Sequence, residues 1–495
     1  MNLLYKSTRG GESNVTASQA ILKGLAVDGG LFMPETIPAL DVPVDKLAGM
    51  TYQEVAYEVM KLFLTDFTEE ELKNCINRAY DSKFDTDVIA PLVKANGAYF
   101  LELFHGSTIA FKDMALSILP HLMTTAARKN NVNNEIVILT ATSGDTGKAA
   151  MAGFADVEGT RIIVFYPKDG VSKVQELQMV TQKGANTSVV AIHGNFDDAQ
   201  TGVKKIFGDK AFEEKLAAKG FQLSSANSIN IGRLVPQIVY YVYAYAQLIA
   251  NAEIKNGEKI NIVVPTGNFG NILAAYFAKQ MGLPVKKLIC ASNDNKVLYD
   301  FFTTGTYDKK REFILTSSPS MDILISSNLE RLIYLSTGCD SKKTAQLMNE
   351  LSASGSYTIT ESMKEKLTDF WGNYATEKEN AATIKKLYNE TDYMIDTHTG
   401  VAAAVYEKYL EETKDRAKTI IASTASPYKF SRSVMDAIFG NQSDKNEFHL
   451  IDEMSRASGV PVPNAVEEIR NAKILHTREC DADNMEETVA EILKV

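Results

Sequence analysis

One lysine in this sequence stands where its amine could do chemistry. Lys112 lies within the apolar stretch LFHGSTIAFKDMALSIL, from Leu103 to Leu119, at the predicted start of a helix. A buried amine loses affinity for its proton and can act as a nucleophile, as Schiff-base lysines do. Most lysines are solvated surface residues. Lys112 therefore needs partners elsewhere in the chain before it indicates an active site.

Two glycine-containing loops could supply anion-binding sites. The loop TSGDTG at 142–147 follows a predicted strand at 135–141, and TGNFGN at 266–271 follows one at 260–265. Both loops open a helix, so their backbone N–H groups and the positive end of the helix dipole would face a phosphate or a carboxylate. A plain tight turn is the alternative for either loop.

Neither loop fits a nucleotide-binding motif. A Walker loop requires four residues between its first glycine and the Gly-Lys pair, followed by Ser or Thr. Here two residues separate Gly144 from Gly147, and Ala149 follows Lys148. The second loop lacks the GxGxxG spacing of dinucleotide-binding proteins. An amine beside two anion sites instead suggests a cofactor with an aldehyde and a phosphate, namely pyridoxal phosphate. The residues alone leave other functions open.

The elements around these loops alternate between strand and helix. Short strands separated by helical segments predict open α/β sheets of parallel strands. The predicted strands lie at 99–104, 135–141, 161–166, 187–192, 260–265, 287–292 and 419–423.

Changes in this pattern predict three units. Residues 1–95 form a small, mainly helical N-terminal domain. A large cofactor-binding domain comprises 96–132 and 210–495, with a charged, mainly helical insertion at about 300–395. A smaller α/β domain comprises 133–209.

Composition and charge exclude several classes of function. The net charge of -10 argues against a nucleic-acid-binding surface. The four cysteines form no CxxC pair, which predicts reduced thiols in a cytoplasmic protein, and the six histidines show no metal-ligand spacing. The most membrane-like stretch, Leu234 to Ala250, contains Pro236 and falls short of the roughly 20 apolar residues of a membrane span, so we expect a buried core helix.

Five motifs, in order along the chain, resemble those of threonine synthases. They are HGSTIAFKD, TATSGDTGKAA, NSINIGRLVPQ, VPTGNFGNILA and STASPYKF. The opening STRG and the later GLAVDGGLFMPE also resemble the N-terminal region of that family. The resemblance covers about residues 5–430, with the long insertion typical of the larger bacterial and fungal form. It implies a tryptophan-synthase-β-like fold, the type II fold of pyridoxal-phosphate enzymes.

The same resemblance implies a lyase that uses pyridoxal 5'-phosphate. Such an enzyme converts O-phospho-L-homoserine and water into L-threonine and phosphate, the last step of threonine biosynthesis. Matched by motif, Lys112 is the lysine that bonds to the cofactor aldehyde. Thr424 matches the hydroxyl that faces the pyridine nitrogen, although it could simply cap a turn at a strand end. The turn that binds the cofactor phosphate corresponds to Gly267, Asn268, Phe269, Gly270 and Asn271.

Two further segments match the substrate site of the family. The loop that receives the substrate α-carboxylate corresponds to Ser143, Gly144, Asp145 and Thr146, and the substrate-phosphate site corresponds to Asn227, Ser228 and Arg233. A guanidinium such as that of Arg233 can take two phosphate oxygens at once. Asn227 and Ser228 could instead cap the following helix. Whether Lys148 or His105 takes part in catalysis stays open.

The sequence departs from the family pattern at two positions. Ser426 stands where many relatives have histidine, which leaves the role of that position open, and Ser107 stands where relatives often have proline. Three alternatives remain: a phospholyase of the same fold, a hydroxy-amino-acid dehydratase of that fold, and a catalytically silent metabolite-binding homologue. We expect a monomer or a weak homo-oligomer that binds neither nucleic acid nor a membrane.

Overall fold

Two sheets of mainly parallel strands organise the chain in the computed structural model, which describes residues 2–142 and 144–495. The larger sheet has six strands and the smaller has five. Parallel neighbours cannot be joined by a tight hairpin and need crossover connections, which helices supply here. The predicted α/β architecture with two sheets and an N-terminal region of short helices is confirmed.

The N-terminal region consists of short helices and a small antiparallel sheet. Thr16, Thr51 and Thr68 each begin a helix with a capping box, in which their side chains accept a hydrogen bond from the backbone N–H three residues later. The elements are β1 (Tyr5–Ser7), α1 (Ala17–Lys23), β2 (Phe32–Pro34), α2 (Val44–Leu47), α3 (Tyr52–Met60), α4 (Glu69–Ala79) and β3 (Leu92–Ala95). Strands β1 and β2 pair with each other.

The next region enters the large sheet and then forms most of the small one. The strand predicted at 135–141 has those bounds in the structure. The elements are β4 (Ala98–Glu102), α5 (Asp113–Leu116), α6 (Leu119–Lys129), β5 (Glu135–Ala141), α7 (Asp145–Phe154), β6 (Thr160–Pro167), α8 (Lys173–Val180), β7 (Thr187–His193), α9 (Phe196–Gly208), α10 (Lys210–Ala218) and β8 (Phe221–Ser224).

The chain then returns to the large sheet, to which this region contributes all its strands except two short ones, at 306–308 and 356–358, that pair with each other. In order, the helices and strands are α11 (Ile231–Ala250), β9 (Ile260–Pro265), α12 (Gly270–Gln280), β10 (Val285–Ser292), α13 (Val297–Thr304), β11 (Thr306–Asp308), α14 (Leu329–Ser336), α15 (Ser341–Ser354), β12 (Ser356–Thr358), α16 (Glu361–Glu365), β13 (Phe370–Tyr374), α17 (Glu377–Thr391), α18 (Thr397–Thr413) and β14 (Thr419–Ser423). A 3-10 helix, Pro319–Met321, lies between β11 and α14.

The C-terminal part adds helices and one further strand. A 3-10 helix at Pro427–Phe430 follows β14. The remaining elements are α19 (Ser431–Phe439), α20 (Glu447–Ser458), α21 (Asn464–Arg470), β15 (Arg478–Asp481), a 3-10 helix at Ala482–Asn484 and α22 (Met485–Leu493).

Sheet membership departs from the expected domain bounds at β3, β8 and β15, while β13 joins the large sheet from within the expected insertion. The large sheet has the order β13-β10-β9-β14-β4-β3 and the small sheet the order β15-β7-β6-β5-β8. The expected range 133–209 therefore omits β8 and β15, the range 1–95 wrongly includes β3, and the insertion at 300–395 contributes β13 to the large sheet. All four are edge strands. An edge strand has a neighbour on one side only and often carries polar residues, which weakens the pattern that predicts strands.

The long apolar stretch is a core helix, as predicted. It lies in α11, whose residues 231–246 are all buried. Within 2–142 and 144–495, no helix combines the length and the apolar character that crossing a membrane requires.

Three neighbouring strands of the large sheet end at the same edge. Strand β14 lies between β9 and β4 and is parallel to both. The loop to Lys112 follows β4, the turn at 266–271 follows β9, and Thr424 follows β14. In open α/β sheets, ligands bind outside the carboxyl ends of the strands. The order of strands therefore places the cofactor residues expected from the sequence at one edge.

A close helix contact joins this edge to the small sheet. Gly153, in α7, lies so near the carbonyl oxygen of Leu116, at the end of α5, that a Cβ atom would be far inside van der Waals contact. Lys112 begins α5 and Asp145 begins α7. The missing side chain at Gly153 thus lets the two helices approach and brings those residues together.

Replacing Gly153 by alanine should lower the free energy of unfolding by about 1–3 kcal/mol, because the added methyl group must push α5 and α7 apart. Chemical denaturation measures the change. The matched control is Gly208→Ala at the last residue of α9, where nothing lies within 4 Å of the position that the added methyl group would take. Alanine is the better helix former, so this control should gain up to about 1 kcal/mol. Equal losses in both variants would contradict the close contact.

Candidate active site

Lys112 occupies the N-cap position of α5, after a loop that Asp113 holds in shape. The Asp113 carboxylate accepts hydrogen bonds from the Thr108 N–H (2.8 Å) and the Thr108 hydroxyl (2.6 Å). A Cβ atom on Gly106 would lie 2.6 Å from the Cβ of Asp113, so the loop has room only for glycine there. The lysine therefore enters the site from a loop with a fixed shape.

The amine of Lys112 is largely withdrawn from solvent. Its side chain is 12% exposed, and its Nζ donates a hydrogen bond to the Ser320 hydroxyl at 3.1 Å. Burial lowers the pKa of Lys112, the charges of Lys429 and Arg233 lower it further, and Asp145 opposes them. A lowered pKa leaves more free amine near neutral pH, which is the form that attacks a carbonyl.

Asp145 is the anionic centre of the site. Its Oδ2 lies 3.5 Å from Lys112 Nζ and accepts a hydrogen bond from the Ser320 hydroxyl at 2.8 Å. Its Oδ1 lies 3.2 Å from Lys429 Nζ and accepts from Gln175 Nε2 at 2.9 Å. Burial alone would raise the pKa of Asp145, but Lys429 and Lys112 outweigh it and hold that pKa well below its ordinary value. Asp145 is therefore a carboxylate.

The turn from Gly267 to Asn271 is built to meet an anion. Phe269 adopts the left-handed conformation, with φ 65°, and starts the eleven-residue helix α12. The carbonyl of Gly267 accepts from the Ser326 hydroxyl at 2.6 Å, and that of Asn268 accepts from a backbone N–H at 3.0 Å. Among the described residues, the N–H groups of 267–271 have no backbone acceptor. These donors are available to a phosphate, as at other helix N-termini.

The side chain of Asn271 adds a donor to this turn. Its Oδ1 accepts from the hydroxyl of Tyr240 at 2.9 Å and from that of Tyr241. Its Nδ2 is buried and has no hydrogen-bond partner in the part of the chain that the structure describes. Buried polar atoms are normally paired. An acceptor from a bound group, such as a phosphate oxygen, would complete this one.

Thr424 lies directly beside the loop that carries Lys112. It is buried, and its carbonyl accepts a hydrogen bond from the Phe111 N–H at 2.8 Å. Ala425 bridges Ala110 in an antiparallel contact. Ser426, where relatives often have histidine, accepts from the Tyr428 N–H at 3.3 Å and so caps the 3-10 helix that follows β14.

The loop after β5 meets the lysine from the small sheet. Gly144 has φ 126°, and a Cβ atom there would lie 2.5 Å from Gln175 Cδ. The Thr142 hydroxyl accepts from the N–H groups of Gly144 (3.0 Å) and Gly147 (2.9 Å). Thr146 is half-buried in the first turn of α7. The expected carboxylate-binding residue Ser143 lies outside the described residues.

Arg233 is buried in the first turn of α11. Its Nη1 donates to the carbonyl of Ala226 at 2.9 Å, while its Nε is buried without a partner among the described residues. Burial lowers its pKa to about 10, so it keeps its charge at neutral pH. A buried guanidinium with an open donor is placed to receive an anion.

Asn227 and Ser228 precede this helix but do not cap it. Asn230 does so, by accepting from the Gly232 N–H at 2.8 Å. Asn227 is exposed, and Ser228 accepts from Asn328 Nδ2 at 3.4 Å. The same Nδ2 donates to the carbonyl of Asn268 at 3.0 Å, which links Ser228 to the turn before α12.

Lys148 and His105 were open candidates, and neither contacts Lys112. Lys148 is buried and bonds to Gln182; burial and the charge of Lys429 lower its pKa to about 8. Burial disfavours the charged form of His105, but hydrogen bonds to Asp85 (2.5 Å) and Glu102 (2.9 Å) raise its pKa to about 9. His105 is therefore a charged link within the loop before Lys112.

Five residues of the site were not predicted. Ser320 contacts both Lys112 and Asp145, and its backbone N–H donates to His398 Nε2 at 3.1 Å. His398 Nδ1 in turn donates to Asp396 Oδ2 at 2.7 Å. Gln175 and Lys429 complete the environment of Asp145. Lys429 lies in the STASPYKF motif, so a lysine within a matched motif could have been singled out from the sequence. The other four residues gave no such signal.

Carboxylates, histidines and cysteines form no metal-binding cluster in the part of the chain that the structure covers. The site instead offers one amine, one anion-binding helix terminus and one buried guanidinium. These groups fit a phosphorylated carbonyl cofactor and an anionic substrate.

Models of known families match most of the chain. The model described as pyridoxal-phosphate dependent enzyme matches residues 86–424. The model of the threonine synthase N terminus matches residues 4–80, and that of the threonine synthase C-terminal region matches residues 399–475.

Individual proteins show the same similarity. Threonine synthase of Saccharomyces cerevisiae is 36% identical, over 94% of this chain and 98% of the yeast protein. Threonine synthase-like 1 of Homo sapiens is 41% identical over 85% of this chain, which spans only 58% of the human protein. A crystal structure of PLP-bound threonine synthase from Brucella melitensis superimposes with a TM-score of 0.88 at 34% identity, covering 100% of both chains. This chain belongs to the threonine synthase family of pyridoxal-phosphate dependent enzymes.

Proposed function

We propose that this chain converts O-phospho-L-homoserine and water into L-threonine and phosphate, with pyridoxal phosphate as its cofactor. One observation carries the proposal. The buried amine of Lys112 shares its site with two separate anion-binding features, the turn before α12 and the guanidinium of Arg233. One feature suits the phosphate of the cofactor and the other suits the phosphate of the substrate.

The charges of the site support an anionic substrate. Its buried cationic side chains outnumber its buried carboxylates, and an unpaired buried charge is costly. An anionic group of the substrate would compensate this excess of positive charge. The cationic side chains are Lys148, Arg233 and Lys429, and the carboxylates are Asp113 and Asp145, with Lys112 taken as a free amine.

The residues of this chain have distinct roles in the proposed reaction. Bound pyridoxal phosphate supplies an aldehyde for covalent attachment and a ring that takes up electrons. Lys112, as a free amine, removes the proton from the substrate α-carbon, and Ser320 and Asp145 hold its Nζ in place. Arg233 binds the phosphate, which leaves the γ-carbon after a second proton has left the β-carbon. The γ-carbon then gains a proton and becomes a methyl group, water adds its hydroxyl at the β-carbon, and a proton returns to the α-carbon. Thr424 would place its hydroxyl at the ring nitrogen.

We also propose that the enzyme works in the cytoplasm, as a monomer or a weak homo-oligomer. Its four cysteines are free thiols, which supports a reducing compartment.

Purified protein should release phosphate from O-phospho-L-homoserine and form an equal amount of threonine. Lys112→Ala should lose both products, because no other amine contacts this position among the described residues; we expect a loss of at least about a thousandfold. Lys73→Ala is the control, since Lys73 is half-exposed on α4, where it pairs with Glu69. Phosphate without threonine would indicate a phospholyase, and no phosphate at all would overturn the proposal.

Arg233→Gln should keep the cofactor but lower kcat/KM by about 100- to 10,000-fold, because it removes a buried charge that meets the substrate phosphate. Inorganic phosphate should compete with substrate in the parent enzyme and much less in the variant. Arg161→Gln, a partly exposed arginine paired with Glu135, serves as the control. Unchanged phosphate competition in Arg233→Gln would place the substrate phosphate elsewhere.

Asn271→Asp should weaken cofactor binding, because a carboxylate replaces a side-chain donor of the turn that is buried without a partner among the described residues. Added pyridoxal phosphate raises the melting temperature of the parent protein by mass action. In the variant we expect the same rise to require at least about tenfold more cofactor. Thermal melts of the apo chain across a cofactor titration measure this. Superimposable titrations would show that the phosphate does not reach Asn271.

A further inference from the structure

Lys429 is a fully buried amine for which the proposed reaction has no step. It lies in the 3-10 helix that follows Thr424, and its side chain is 0% exposed. Its Nζ donates to the carbonyl of Thr108 at 2.9 Å and lies 3.2 Å from Asp145 Oδ1. An amine buried this deeply needs a reason, because lysine is rarely taken out of water without a paired charge.

Asp145 is shared between two amines. Lys429 faces Oδ1, and Lys112 faces Oδ2 at 3.5 Å. A single carboxylate compensates one positive charge, so two ammonium groups on it repel each other. The site cannot hold both amines protonated without a further anion.

The hydrogen bonds decide which amine keeps its proton. Lys429 donates to a backbone carbonyl, which can only accept, and this contact favours the ammonium form. Among the described residues Lys112 has no backbone carbonyl beside its Nζ, and it lies farther from Asp145 than Lys429 does, at 3.5 Å against 3.2 Å. The geometry therefore favours the charge on Lys429 and the free amine on Lys112.

We propose that Lys429 is a positioning residue that occupies the carboxylate of Asp145 and so keeps the amine of Lys112 unprotonated for reaction with the cofactor. The inference rests on the proposed function, in which Lys112 bonds to the cofactor aldehyde. Lys429 itself touches neither the aldehyde nor the substrate in this role; it acts through Asp145.

Other charged groups face this pair, and none replaces Lys429. Arg233 also disfavours the proton on Lys112, but it has no contact with Asp145 among the described residues. The charged or titratable groups around the two lysines are Asp113 of α5, Asp145 and Lys148 of α7, Arg233 of α11 and His398 of α18. Without Lys429, Asp145 would stabilise the ammonium form of Lys112 alone.

The test follows the capture of pyridoxal phosphate by the full-length apoenzyme. Bond formation with Lys112 changes the absorbance of the cofactor, and its initial rate is measured as a function of pH. Each variant is normalised to its own plateau, so a general loss of structure or affinity lowers the rate without moving the profile. A shift of the pH profile therefore reports a change in the fraction of Lys112 that is unprotonated.

Lys429→Gln keeps a donor for the Thr108 carbonyl but removes the charge, so its profile should shift to higher pH by about one unit or more. Lys429→Arg keeps the charge and should stay near the parent profile. Asp145→Asn removes the shared carboxylate while Lys429 stays charged, so its profile should shift to lower pH. A merely structural role predicts no shift in any of them.

The outcomes separate this inference from the proposed function. A parent apoenzyme that fails to capture the cofactor at any pH overturns the proposed function. Normal capture by the parent with unshifted profiles in Lys429→Gln and Asp145→Asn overturns the role of Lys429 alone. If circular dichroism shows that Lys429→Gln does not fold, the Asp145→Asn variant tests the role of Lys429. A shift of its profile to lower pH supports that role, and no shift or a shift to higher pH overturns it.

Discussion

The carboxylate of Asp145 is the interaction on which the site depends. It comes from the small sheet, while the amines of Lys112 and Lys429 and the hydroxyl of Ser320 come from three segments of the large domain. A buried carboxylate without partners would be costly, and so would either amine. The small and large sheets must therefore meet for these groups to be compensated. The position of the Lys112 amine therefore depends on how the two sheets pack against each other.

The order of strands explains why residues so distant in sequence converge. The loop to Lys112, the turn before α12 and Thr424 follow β4, β9 and β14, which are parallel neighbours in the large sheet. Parallel strands end on one side, so a helix N-terminus, a hydroxyl and an amine face the same space. The close contact at Gly153 then brings α7, with Asp145 in its first turn, against the helix of Lys112. The arrangement of the backbone thus brings most of the site residues together.

The sequence predicted the central strands and the loops after them, because buried parallel strands have continuous apolar runs and their ends carry glycine. It missed β3, β8, β13 and β15, which are the edges of the two sheets and carry weaker patterns. It predicted Lys112, the turn at 266–271 and a loop with Asp145 as parts of a site, but not that the Asp145 side chain lies between two lysines. Pairing of buried charges depends on which segments meet, and local pattern does not encode that.

The C-terminal segment ties the small sheet to the rest of the chain. The chain passes between the two sheets before β5, after β8 and before β15. Near the last crossing, the N–H groups of Leu475 and His476 both donate to the carbonyl of Val180 in α8, and β15 pairs with β7. Three connections restrict how the small sheet can move relative to Lys112. Since the buried cations exceed the carboxylates, an anionic substrate would strengthen the attraction that already joins the sheets. The same excess of buried positive charge would then favour both the binding of substrate and the alignment of Asp145 with Lys112.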